Sequence, residues 1–269
     1  MTGSLRLAVS NIAWEPADDD AIAAVLRSEG VSAIEIAPTK WRKWPIETNA
    51  VERREYRRAW ADRGMQIVSM QSLLFGRPDL QLFGPTRPAL SDYIRGLMDM
   101  GADLGVRTFV FGSPKNRIRG DLPLSDAMQI AADFFRLIAK HAALRKTVVC
   151  IEANPPAYGC DFVTTTAEAV ELCAIVDHPG IAINADLGGM TMSGEPPCET
   201  IVSASRMIGH VHASEPHLAE LGAESNHAEA AAGLASIGYE KFVSIEMRNG
   251  DVRKAVRLAK AQYSISDNG

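Results

Sequence analysis

The chain has 269 residues, 46% of them hydrophobic, so it can bury a sizeable core without staples and is not a disordered chain. Lys and Arg number 28 against 33 Asp and Glu, a formal charge of −5, which argues against a protein that grips a nucleic-acid backbone through a basic face. No run of 18 or more apolar residues marks a transmembrane helix, the N-terminal residues lack a secretory apolar region, and the four cysteines show no CxxC pairing. These features predict a cytoplasmic protein with no membrane partner.

Short β-rich runs alternate with stretches of helical periodicity along the whole chain. The strands are expected at 5–10, 33–37, 66–72, 107–112, 148–152, 181–186, 208–214 and 242–247. Several are almost continuously apolar, as parallel strands covered on both faces must be. The helices are expected at 18–29, 47–63, 87–104, 125–144, 166–176, 196–206, 227–237 and 252–263. Gly30, Gly64 and Gly105 follow three of them as stop signals. Eight units of roughly 30 residues predict an α/β fold, a (β/α)8 TIM barrel, as one domain over residues 1–269. An open dinucleotide-binding sheet would need a glycine-rich turn after the first strand, and Ser10-Asn11-Ile12-Ala13-Trp14 has none. Pro/Gly-rich stretches at 75–78 and 194–197 sit at strand-to-helix connections and read as loops of the active face.

In such a barrel the chemistry lies at the C-terminal ends of the strands. Glu152 ends the fifth strand, Asp186 the sixth and Glu246 the eighth, while His212 lies near the end of the seventh. The spacings are 34, 26 and 34 residues, about one strand–helix unit each, so the four side chains should converge. Three clustered carboxylates repel one another unless a cation lies between them. Three oxygens and an imidazole suit Mn2+ first, then Mg2+ or Co2+, and admit Zn2+.

The segments Ile151-Glu152-Ala153-Asn154, Asn184-Ala185-Asp186, His210-Val211-His212-Ala213-Ser214-Glu215 and Ser244-Ile245-Glu246-Met247-Arg248 resemble the xylose-isomerase-like TIM-barrel superfamily. The likeness is to its sugar phosphate isomerase/epimerase group, which includes ketose 3-epimerases. That resemblance implies Glu152, Asp186, His212 and Glu246 as ligands of one divalent metal ion, with Glu152 and Glu246 also the catalytic proton-transfer pair. It implies a sugar or keto-sugar as the small-molecule partner and is compatible with a homo-oligomer. Two positions depart from the group. Gly189 stands where a His usually follows the Asp by three residues, and Tyr158 stands near the place of a substrate-facing Glu.

A divalent ion would polarise a ketone and stabilise the enediolate left when an α-proton departs. Carboxylates on the two faces would take and return the proton, giving epimerisation or aldose–ketose isomerisation. Loss of a β-substituent would instead make the enzyme a lyase or dehydratase on a keto-sugar, keto-glycoside or inosose, and the two departures keep that alternative open. A non-catalytic metal- or sugar-binding barrel is a third reading. The superfamily's DNA-repair endonucleases need a His-rich zinc cluster and a basic face, against which six His and the acidic charge count.

Candidate substrate contacts are Glu35, Gln71, Lys115, Asn154, His217 and Arg248. Glu35 has an alternative place in the barrel's polar interior, and His217 one on the surface. The loop 112–117, with Arg119 beyond it, is basic enough to hold a phosphate or carboxylate, or is simply solvated. His210 shares the strand face of His212 one layer lower and reads as a supporting or core histidine. Trp14 follows the first strand and is placed to stack on a sugar ring. Trp41 and Trp44 lie in a basic aromatic loop that reads as a lid or subunit contact.

Overall fold

A computed structural model describes residues 5–222 and 224–263. Eight parallel strands among them close into one barrel in chain order: β1 Arg6–Ser10, β2 Ala33–Ile36, β3 Gln66–Met70, β4 Thr108–Phe111, β5 Val148–Glu152, β6 Ile181–Asp186, β7 Ile208–Ser214 and β8 Phe242–Glu246. The helices that return the chain are α1 Asp19–Ser28, α2 Pro38–Trp41, α3 Ala50–Asp62, α4 Arg87–Leu104, α5 Leu124–Leu144, α6 Thr166–Val176, α7 Leu187–Ser193, α8 Pro197–Ser203, α9 His227–Ser236 and α10 Val252–Gln262. This is the expected TIM barrel. Among the described residues no helix is long and apolar enough to cross a membrane.

Local chemistry moves some expected boundaries. The helix expected from residue 47 begins at Ala50, because Asn49 accepts from the amides of Val51 and Glu52 while the Glu52 carboxylate accepts from the Asn49 amide. That reciprocal capping box sets the first turn, and residues 45–47 form a separate 3-10 turn. The helix expected over 196–206 is shorter, α8 followed by a 3-10 turn at Ser205–Met207. Two short helices, α2 and α7, were not expected. Each starts within two residues of a strand end, where the apolar run gives no separate helical period.

The apolar mass lies between the outer faces of the strands and the helices. Phe111 of β4 meets Phe135 of α5 edge to face at 5.1 Å, and each such buried ring stabilises by about 1.5–3 kcal/mol. The barrel interior is different. Its small apolar cluster is Ala8, Ala33 and Val68, and above it the inward positions become polar. Pairing then sets heights: Glu152 lies beside Asn184, Asp186 beside His212, and Ser214 beside Glu246. A register shift between Ile183 and Asn184 precedes Asp186, and another precedes Glu35. Irregularities of this kind re-aim side chains.

Candidate metal centre

β5 to β8 carry Glu152, Asp186, His212 and Glu246 to one point. The His212 ring is fully buried, and its Nδ1 stands 3.1 Å from Glu246 Oε2, 3.2 Å from Glu152 Oε2 and 3.8 Å from Asp186 Oδ2. Donor atoms of Glu152, Asp186 and His212 all lie within 4.8 Å of one another. Nδ1 has no hydrogen-bond partner, although it is buried.

The other ring nitrogen explains this orientation. His212 Nε2 is 3.1 Å from Glu35 Oε1 and 3.3 Å from Glu35 Oε2. With Glu35 holding Nε2, the ring turns Nδ1 towards three carboxylates. A carboxylate behind a histidine whose far nitrogen faces acids is the arrangement that presents an imidazole to a metal ion. Glu152, Asp186 and His212 therefore fit a divalent cation, and Glu246 lies 3.1 Å from His212 Nδ1.

Electrostatics agree. Burial disfavours an imidazolium at His212, but the carboxylates of Glu246 and Glu35 outweigh it and hold its pKa well above the ordinary value. Asp186 is pushed up to about 7, by burial first and then by the charges of Glu152 and Glu246. Burial also acts to raise Glu152, yet His212 and the amides of Asn154 and Asn184 hold it below the ordinary value. The acid cluster thus demands positive charge in its midst, whether a proton or a metal ion.

Two of the three carboxylates are braced by neighbours. Glu152 accepts from Asn154 Nδ2 on Oε1 and from Asn184 Nδ2 on Oε2, both at 2.8 Å. Asp186 accepts the Gly189 amide at 2.6 Å, so it also caps α7, and it accepts the Ser214 hydroxyl at 2.5 Å. Two glycines make room. A Cβ at Gly112 would lie 2.6 Å from Glu152 Oε1, and one at Gly189 would lie 2.9 Å from Asp186 Oδ1. The absent histidine at 189 therefore corresponds to a backbone drawn against the Asp186 carboxylate.

The expected substrate contacts separate. Glu35 is not turned to the open face: it is wholly buried beneath His212, bonded to both His210 and His212. His210 supports it at 2.9 Å, and burial holds that ring's pKa below the ordinary value. Asn154 is at the cluster, but its amide serves Glu152. Gln71 is buried beyond β3 and donates to Ser10 Oγ at 2.9 Å. Lys115 and Arg248 are exposed. His217 is exposed too, and its amide donates to the Tyr158 hydroxyl at 2.8 Å while the rings meet edge to face. Tyr158 feels the charges of Asp186, Glu246 and Glu152. Burial raises its pKa first, and those charges add to the rise.

The basic loop after β4 does not present three cations to a ligand. Arg117 is buried and donates to the carbonyl oxygen of Glu152 at 2.7 Å, while Arg119 bonds to the Asp161 carbonyl and Leu122 carbonyl. Backbone carbonyls of Glu152, Asp161 and Leu122 take both side chains. Trp41 stacks on Tyr56 at 4.2 Å and belongs to the packed wall, whereas Trp44 is exposed. The bracing roles of Asn184, Ser214 and Arg117 were not read from the sequence. Asn184 carried a signal, since it shares the strand face of Asp186 two residues away.

Residues 23–264 match the family model described as a xylose isomerase-like TIM barrel. The chain belongs to that family. No curated protein matches it. Among solved structures it is similar to D-psicose 3-epimerase from Clostridium cellulolyticum H10, at 18% identity over 97% of both chains with a TM-score of 0.77. It is also similar to the 3-keto-D-glucoside 4-epimerase of E. coli, at 16% identity over 96% of this chain and 99% of that one, TM-score 0.78. A third likeness is to an L-ribulose 3-epimerase, at 16% identity over 97% and 95% of the two chains, TM-score 0.77. At these identities the likeness is one of fold.

Proposed function

We propose that this xylose isomerase-like barrel is a divalent-metal-dependent sugar isomerase or epimerase, with Glu152, Asp186, His212 and Glu246 as the metal ligands. The observation that carries the reading is the buried Nδ1 of His212, unpartnered and aimed at three carboxylates while Glu35 holds the opposite nitrogen. Mn2+ is the first candidate, because the set is oxygen-rich with a single imidazole. When bound, the ion supplies Lewis-acid polarisation of a substrate carbonyl.

The chain's own residues supply the rest. Glu152 and Glu246 come from β5 and β8 and lie 3.2 and 3.1 Å from His212 Nδ1, which supports a pair acting from two sides of a bound sugar. One carboxylate takes the α-proton, and the other, carrying a proton of its own as the acid, delivers that proton to the opposite face. His212 and then the Asn154 and Asn184 amides hold Glu152 in its ionised form against its burial, and the amides fix it in place, as a base must be. Fold similarity to three epimerases supports the same class.

Tyr158 favours a second reading, a lyase acting on a keto-sugar or keto-glycoside. Its hydroxyl accepts the His217 amide at 2.8 Å, lies near enough to Asp186, Glu246 and Glu152 to feel their charges, and carries a proton to donate to a leaving oxygen.

One experiment separates the readings. Protein purified without chelators is assayed for bound metal, then incubated in D2O with a panel of ketoses and keto-sugars. Deuterium in recovered sugar with an inverted centre and no mass loss supports the epimerase. Loss of water or an aglycone supports the lyase. Tight sugar or metal binding with no exchange anywhere in the panel would leave a non-catalytic binding barrel.

A further inference from the structure

The barrel has a second mouth, at the N-terminal ends of its strands, and it has the opposite electrostatic character. A cavity of about 610 Å3 opens there, edged by Arg6, Arg107, Lys146 and Lys241. No Asp or Glu lines it among the described residues. None of the four cations has a carboxylate oxygen within 4.0 Å among those residues. Arg6 lies over the Phe242 ring at 4.3 Å, and Lys241 Nζ donates to the Ile208 carbonyl at 3.3 Å. In a chain of net charge −5, four cations around one opening stand against the average.

Deeper in the same cavity is an independent signal. Ser69 is 1% exposed and lines the cavity, yet its hydroxyl has no hydrogen-bond partner. A buried hydroxyl without a partner costs roughly 1–3 kcal/mol unless something else satisfies it. The hydroxyl-bearing Thr108 and Thr147 share the lining, with Val68, Val148 and Phe242 as its apolar part.

We propose that the N-terminal mouth of the barrel is a second ligand site, which binds a small phosphorylated molecule. Two guanidinium forks and two ammonium groups suit a phosphoryl group better than a single carboxylate, because each Arg offers paired donors to its oxygens. The volume exceeds that of an inorganic ion and falls in the range of small-molecule sites. The phosphoryl group sits among the four cations, and the body of the molecule lies against the apolar wall and the Ser69 hydroxyl. This site opens at the other end of the barrel from the acid cluster, with His210, bonded to Glu35, in its lining, and does not depend on the function proposed for that cluster.

Isothermal titration of the full-length protein with inorganic phosphate, and with pyrophosphate, tests the proposal at fixed ionic strength. Saturable binding of pyrophosphate at one site is expected, weakened at least tenfold in R107A/K146A. Phosphate should bind at the same place more weakly. K146A alone should lose about threefold, which keeps the test open if the double variant folds poorly by circular dichroism. Absence of saturable binding overturns the proposal. So does binding that is unchanged in folded K146A and R107A/K146A, since the anion then sits elsewhere, on a metal ion included.

Discussion

The two ends of this barrel are built from the same strands and carry opposite charge. At the C-terminal end, inward positions of β5 to β8 bring three carboxylates around one imidazole. At the N-terminal end, four cations ring an opening that no carboxylate lines among the described residues. The ends also differ in how they are held. At the acidic end Asn154 and Asn184 brace Glu152, Ser214 braces Asp186 and Glu35 braces His212, while the Glu246 carboxylate meets His212 itself. The cations at the basic end make one ring contact and one carbonyl contact. Tight bracing is what a reaction geometry requires, because small displacements of a catalytic group cost rate steeply. Binding of a charged group tolerates looser side chains.

The sharpest way to break the comparison is to neutralise one acid. Glu246→Gln should lower α-proton exchange by about 10²–10⁴-fold, the usual weight of a positioned acid or base, with the fold intact. Exchange at the parental rate would remove Glu246 from the chemistry. Next comes the support beneath the site. Glu35→Gln keeps the shape but loses the charge behind His212, and metal affinity measured by competition with a chelating dye should fall about 10–100-fold. An unchanged affinity would show that Glu35 merely fills the interior.

A smaller effect concerns the loop after β7. Glu215, buried, accepts the amides of Gly222 and Ser225, and His227 Nε2 lies 3.2 Å from it. Burial lowers the His227 pKa below its ordinary 6.5 more than Glu215 raises it. The unfolded chain therefore binds a proton that the folded chain does not, and the stability contribution present above pH 6.5 is lost as pH falls. Urea unfolding followed from pH 7.5 to 5.5 should show that slope, and H227Q should show less of it. An identical slope in H227Q would place the linkage on other groups. The smallest effect is expected at the far end: R107A/K146A should leave turnover within twofold of the parent, and a larger change would mean that the two mouths are coupled.

Much of this was legible in the chain. The alternation of strand and helix patterns already specifies a parallel barrel, since eight short apolar runs separated by amphipathic helices have few other ways to bury both faces. The four residues at the strand ends were legible for the same reason: a strand's last inward position is set by its length, and one unit of spacing puts neighbours at one height. Glu35 and Arg117 were harder. Glu35 sits in Ile34-Glu35-Ile36 with nothing to say how deep it lies, and a register shift just before it decides that. Arg117 looked like a loop cation, and only folding shows the Glu152 carbonyl that takes it inward.

The chain by itself therefore determined the architecture and the residue types brought to the C-terminal face, because periodicity and spacing are properties of local sequence. The tertiary structure alone decided which nitrogen of His212 faces the acids, why position 189 has no side chain, and that four distant cations share one opening. Those depend on distances between segments far apart in the chain, which closure of the barrel brings together.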